Sequence, residues 1–223
     1  MSITQESRVG RLAAEHPLAT RVFARHQIDY CCGGGRPIGE VCQEKGLDTE
    51  HVLEEIRREL ETTNVSEENW NDHPLPELID HILATYHRPL TDELPRLGAM
   101  ARKVLAVHGD KDPERLAELV RVYEGLMFEL VDHMAKEEQI LFPMIRNGQG
   151  AFADGPVAVM LHEHDDAGAA LKRLRELTNN YEVPAEACNT WRALWHGLAA
   201  LEDDMHRHIH LENNILFPAA LQA

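Results

Sequence analysis

The feature that most constrains this chain is a set of histidines and glutamates on what should be the buried seams of long helices. From Leu116 to Met144, the residues Leu116, Leu119, Tyr123, Leu126, Leu130, His133, Glu137, Ile140 and Met144 recur in steps of three and four. That rhythm is one face of an α-helix, so His133 and Glu137 lie on the apolar stripe itself. The last stretch repeats the device, with Leu194, Leu198, Leu201, Met205, His208, Glu212 and Ile215 in one series. Val157, Leu161, His164, Gly168 and Leu171 place His164 on a third seam, and Leu83, His87, Leu90, Leu94 and Leu97 place His87 on a fourth, broader one.

Burying an unpaired polar side chain costs about 1–3 kcal/mol, and an unpaired carboxylate costs more. A single seam histidine is more often a hydrogen-bonded core residue than a ligand. Two His-x-x-x-Glu pairs plus two single histidines, each facing a core, ask instead for metal. His162, His206 and His210 sit two residues from a seam histidine and so point to other faces, where they read as solvated or as supports for a ligand.

Helix rise tests whether these groups can share a level. The run from Leu75 to about His108 turns at Gly109-Asp110-Lys111-Asp112-Pro113 and returns to about Arg146, giving two antiparallel helices of about 50 Å. His87 and His133 are nearly equidistant from that turn. Glu137 and His164 are about equally far from the next connection, 147–156. The third connection, read as 179–184, fits less well, because His208 lies further along its helix. Either that loop climbs or the helix ends differ.

Sparse aromatics and no β-rich alternation point to an all-α chain. A formal net charge of −16 argues against nonspecific nucleic-acid binding and against anionic membranes. No run reaches the length of a membrane span, and Met1 to Glu6 lack a signal-peptide pattern, so a cytoplasmic location is the expectation.

The N-terminal part differs in kind. Short helices around Val9 to Ile28, broken at Pro17, and a helix from Thr49 to Leu60 flank the run Asp29-Tyr30-Cys31-Cys32-Gly33-Gly34-Gly35. Glycine permits backbone shapes that other residues resist, which suggests adjacent thiols on a tight turn. Four cysteines are too few and too unevenly placed for a secreted disulfide framework. Cys31 and Cys32 can be free thiols, a labile redox pair, ligands to a metal, or simple core residues. Cys42 and Cys188 read as small buried hydrophobes. The expected organisation is a small N-terminal helical domain (1–66), a linker (67–74) and an antiparallel four-helix bundle (75–223).

The chain resembles the di-iron iron–sulfur cluster repair proteins, which join a vicinal-cysteine domain to a hemerythrin-like bundle. The resemblance rests on Asp29-Tyr30-Cys31-Cys32-Gly33-Gly34, Ile79-Asp80-His81 with Tyr86-His87, His133 to Pro143, Glu163-His164-Asp165, and His208 to Pro218. It implies His87, His133, His164 and His208 as terminal ligands, and Glu137 and Glu212 as bridging carboxylates. About two iron ions per chain would be held there, joined by an oxo or hydroxo bridge. The residue types alone suit iron, manganese or zinc. Pro89 is unusual for the pattern and should kink the first helix. Glu129, one turn before His133, and Glu163, beside His164, are candidates for supporting the ligands or lining a polar path, or are simply solvated.

Three functions fit this pattern. The first is repair of clusters damaged by oxidative or nitrosative stress, by supplying iron, with Cys31 and Cys32 handling thiol, nitrosyl or client contacts. The second is an enzyme reducing nitric oxide at the di-iron site; the third is an oxygen-binding or sensing hemerythrin. The implied partners are proteins with damaged clusters and small ligands such as nitric oxide or oxygen, with homodimerisation open. Vicinal thiols disfavour a simple oxygen carrier, and the resemblance favours repair.

Overall fold

Helices occupy the segments where the three-four apolar rhythm holds, and α-helical runs ending at Glu15, Glu44, His108 and Arg146 are followed within two residues by proline or glycine. The computed structural model describes residues 3–62 and 68–223. Residues 63–66, at the end of the expected N-terminal domain, and 67, at the start of the expected linker, lie outside the described residues. In order the helices are α1 (Val9–Glu15), α2 (Ala19–Arg25), α3 (Ile38–Glu44), α4 (Thr49–Thr62), α5 (Leu75–Ile82), α6 (Arg88–His108), α7 (Pro113–Lys136), α8 (Phe142–Arg146), α9 (Asp154–Leu177), α10 (Asn189–Leu211) and α11 (Phe217–Ala220). No β-strand occurs among the described residues; Arg8 and Pro37 form one isolated bridge. The protein is all-α, a small helical domain followed along the chain by a hemerythrin-like four-helix bundle. By contacts it divides into two compact units, one running to Ile79 and including His206–Ala223, the other Asp80–Met205.

In the second unit the α6–α7 turn forms as the sequence requires. Pro113 starts α7, and the Asp112 side chain accepts a hydrogen bond from the Arg115 N–H at 3.3 Å, satisfying a donor the first turn leaves open. Leu116, Leu119, Tyr123, Leu126 and Leu130 are buried, and the Tyr123 hydroxyl donates to the Leu94 carbonyl at 2.8 Å. On α9 the buried stripe is Val157, Met160, His164, Ala167, Leu171 and Leu174, so Leu161, expected on the seam, is exposed instead. The α9–α10 connection is longer than expected. Helix α10 starts only at Asn189, and Asn179, Asn180 and Tyr181 carry consecutive positive φ values of 51°, 56° and 61°. Asparagine tolerates that left-handed conformation; Tyr181 is held in it with its ring under the Arg175 guanidinium, 5.1 Å away.

Among the described residues, three π turns interrupt the long helices, at Leu83–His87, Glu137–Leu141 and Glu212–Leu216. Each contains the residue four before a proline: Thr85 before Pro89, Gln139 before Pro143 and Asn214 before Pro218. Proline lacks an N–H and its ring clashes with that carbonyl, and a widened turn relieves both problems. The kink expected at Pro89 therefore falls beside a π turn, and the helix continues as α6. The extra residue also rotates the face presented by the next turn of helix. Ile140 is exposed and Met144 half-buried, while Leu141, Phe142 and Ile145 carry the core onward.

The first unit packs α1 to α4 around Val9, Leu12, Val22, Phe23, Ile28, Tyr30, Ile38, Cys42, Leu53 and Ile56. Its 206–223 segment contributes Asn214, whose Nδ2 donates to the Tyr30 carbonyl at 3.2 Å and to His210 Nδ1 at 3.1 Å. Gly10 and Gly34 leave room for it: a Cβ on Gly10 would overlap the Asn214 side chain and one on Gly34 would meet Gly10 Cα at 2.8 Å. Among the described glycines only Gly46 and Gly148 have positive φ, so the 33–35 triplet does not supply a left-handed turn. Close approach is what position 34 requires. Gly10→Ala is expected to cost about 1–3 kcal/mol through overpacking. Urea unfolding measures this, and a second change, Asn214→Ala, should recover part of the loss.

Candidate metal centre

In the second unit, His87, His133, Glu137 and His164 are all buried. The Nε2 atoms of His87 and His133 each lie 3.4 Å from Glu137 Oε2. His133 Nε2 and His164 Nε2 are 3.0 Å apart. The outer nitrogens are held by carboxylates: His87 Nδ1 pairs with Glu138 Oε1 at 2.9 Å, and His133 Nδ1 with Glu163 Oε2 at 2.9 Å. A carboxylate fixes the proton on Nδ1, which leaves Nε2 with its lone pair directed inward.

This arrangement fits a cation. Neither Glu137 oxygen has a hydrogen-bond partner among the described residues, although the carboxylate is fully buried. His133 Nε2 and His164 Nε2, 3.0 Å apart, can share a proton or hold one cation between them. That spacing matches two ligands at right angles, each about 2.1 Å from one metal.

In the first unit, His208 and Glu212 are buried one turn apart on the same helix face, with Nε2 3.0 Å from Glu212 Oε1. His210, expected to be solvated or supporting, is buried against the Tyr30 ring at 5.3 Å, and burial pushes its pKa down to about 4. His206 is half-buried near the same ring.

The two candidate supporting carboxylates, Glu163 and Glu129, part ways. Glu163 reaches His133 and also accepts from Lys136 Nζ at 2.5 Å. Burial opposes its ionisation, but the bonds from Lys136 and His133 outweigh it and hold the carboxyl below its usual range. Glu129 is exposed and makes no hydrogen bond or ion pair with the described residues, so it does not support the cluster. Glu138 does, and the sequence reading missed it. The only available signal was its position beside Glu137.

Cys31 and Cys32 are not joined as a disulfide, and their sulfurs are 3.6 Å apart. Asp29 organises the turn: Oδ1 accepts from the N–H groups of Cys31 and Cys32 at 3.0 Å each, and Oδ2 from Gly33 N–H at 2.9 Å. The bond to Cys32, burial and nearby charge push the Cys31 thiol well up. Asn213 Nδ2 donates to the Cys31 carbonyl at 3.3 Å. Cys42 is buried, as expected, but Cys188 is exposed. The Trp191 backbone N–H, followed by His108 at 3.3 Å, brings the Cys188 thiol down to about 7. Alkylation of the Cys188 peptide should follow ionisation with a midpoint near about 7, and His108→Ala should move that midpoint upward. Mass spectrometry across a pH series measures it.

A family model described as "Hemerythrin HHE cation binding domain" matches residues 78–220. The ScdA_N model, described as a domain of unknown function, matches 5–60. The chain is 44% identical over 215 residues to "Iron-sulfur cluster repair protein YtfE" of Citrobacter koseri, covering 96% of both chains. Proteins of the same name from Escherichia coli K12 and Shigella boydii are 44% identical over 213 residues, again covering 96% of each. A vicinal-cysteine domain and buried histidine–carboxylate donors, matched over nearly the full length of these relatives, place the chain in the iron–sulfur cluster repair protein family.

Proposed function

We propose that the chain restores iron–sulfur clusters damaged by oxidative or nitrosative stress, and that it does so by supplying iron from the buried His and Glu residues. In this reading His87, His133, His164 and His208 are terminal ligands and Glu137 and Glu212 are shared carboxylates. They hold about two iron ions per chain, with an oxo or hydroxo bridge between them. The clients are proteins with damaged clusters, met in the cytoplasm, and nitric oxide or oxygen are the small ligands that reach the centre.

The observation that carries this reading is Glu137, a buried carboxylate beside two imidazoles and without a hydrogen bond of its own. A buried anion left so is costly, and a divalent cation removes the cost. Iron is the cargo here. Neutral imidazoles make up most of the donor set, and such ligands release a metal more readily than a closed thiolate cage. Glu138 and Glu163 keep the two imidazoles turned inward. Glu138→Gln or Glu163→Gln should each weaken iron binding by about 10- to 100-fold in competition with a chelator, while Glu129→Gln leaves it unchanged.

No helix among the described residues is long and apolar enough to cross a membrane. The reading is tested with a dehydratase whose cluster has lost iron to peroxide. The iron-loaded chain is expected to reactivate it without added iron, and the metal-stripped chain is not. Equal reactivation by both forms contradicts the proposal.

A further inference from the structure

The vicinal thiols are more than a reactive surface feature. Asp29, Cys31 and Cys32 each offer a donor atom, and the three atoms lie within 4.8 Å of one another. Cys31 Sγ is 3.2 Å from Asp29 Oδ1 and 3.6 Å from Cys32 Sγ. At a metal–thiolate distance of about 2.3 Å, sulfurs so placed subtend about 103° at a metal, close to the tetrahedral value of about 109°. A disulfide needs sulfurs about 2.05 Å apart, so this turn holds the pair at the spacing of a metal dithiolate.

We propose that Asp29, Cys31 and Cys32 form a second, open metal site that takes a thiophilic divalent cation, iron(II) foremost, in transit. On loading, both sulfurs bind as thiolates and one Asp29 oxygen completes three ligands. Two thiol protons pass to solvent, and no electron moves. Asp29 Oδ1 would face a like charge in a thiolate beside it, and a cation held between them removes that repulsion. Asp29 is exposed and Cys32 half-buried, so a fourth position faces solvent. An incoming thiolate or sulfide of a damaged cluster can enter there, which suits loading and unloading rather than storage.

The turn's attachment supports the same role. Asn213 and Asn214 donate to the Cys31 carbonyl at 3.3 and 3.4 Å. Both stand on the π turn that begins at Glu212. The backbone of the thiol site is thereby tied to the turn bearing one of the proposed bundle ligands. This deepens the repair reading and rests on it for the identity of the cargo, but the site itself is testable without repair.

The test uses the full chain with its bundle already loaded with iron, kept anaerobic and titrated with cobalt(II). Thiolate-to-cobalt charge-transfer absorbance should grow to about one equivalent, and bound cobalt or added iron(II) should protect the Cys31–Cys32 peptide from alkylation. Cys31→Ser with Cys32→Ser should abolish the band. Asp29→Asn keeps one acceptor oxygen for the Cys31 and Cys32 N–H groups and loses the one that accepts from Gly33 N–H; it should weaken cobalt binding by about 10- to 100-fold, with helical circular dichroism unchanged. A band that survives in the double serine chain would assign the metal to Cys188 and His108 and overturn the proposal; so would an absent band in the wild-type chain. Cobalt bound at the thiols with no repair activity would leave this site standing and defeat the repair reading alone.

Discussion

Glu137→Ala is expected to strip the bundle of most of its iron, from about two ions per chain to well under one. The carboxylate stands 3.4 Å from both His87 and His133, and the proposed reading makes it shared by the two ions. Removing it subtracts a ligand from each ion. The change also separates metal binding from packing. In the metal-free chain the carboxylate is a buried anion without a hydrogen bond, so its loss should leave stability level or raise it by about 1–3 kcal/mol. In the loaded chain the same substitution should lower the midpoint of thermal unfolding, because binding energy is lost. A structural carboxylate would give the reverse in the metal-free chain. His206→Ala is the control on the same helix as His208, and its iron content should match the wild type.

The second large effect concerns the N-terminal domain. Cys31→Ser with Cys32→Ser should abolish cluster repair while leaving bundle iron near normal. Serine preserves the size of the turn, and the Asn213 and Asn214 bonds go to backbone carbonyls that the substitution does not touch. Iron analysis and a reactivation assay on the same preparation measure both halves of the statement. Full repair by the double variant would return the cysteines to a packing role and place the whole function in the bundle.

Much of this was legible in the sequence because an amphipathic helix writes its buried face as a period. His87, His133, Glu137, His164, His208 and Glu212 all proved buried, and the stripe of α7 up to Glu137 was read residue by residue. The reading slipped at Ile140 and Met144 for a definite reason. The π turn ahead of Pro143 adds a residue to one turn, and an unbroken three-four count cannot register it. The signal was present twice, as Leu-Phe-Pro placed at the same distance after Glu137 and Glu212. Pairings between distant residues left no such trace. Glu138 meeting His87, or Asn214 meeting Gly10, depends on how elements pack rather than on any period within one of them. Cys188 was misread for a related reason: its exposure results from the late start of α10, which the 179–184 break concealed.

The central claim is that iron leaves this chain for a damaged cluster. Loading the chain with isotopically labelled iron, mixing it with a cluster protein that has lost iron, and separating the two tests that directly, with nitric oxide consumption followed in parallel. The account predicts label in the recovered cluster, in proportion to the activity regained, and a matching loss from the donor. Recovery with no label transferred, accompanied by many turnovers of nitric oxide at a centre that keeps its iron, would contradict donation and assign the chain to nitric oxide reduction.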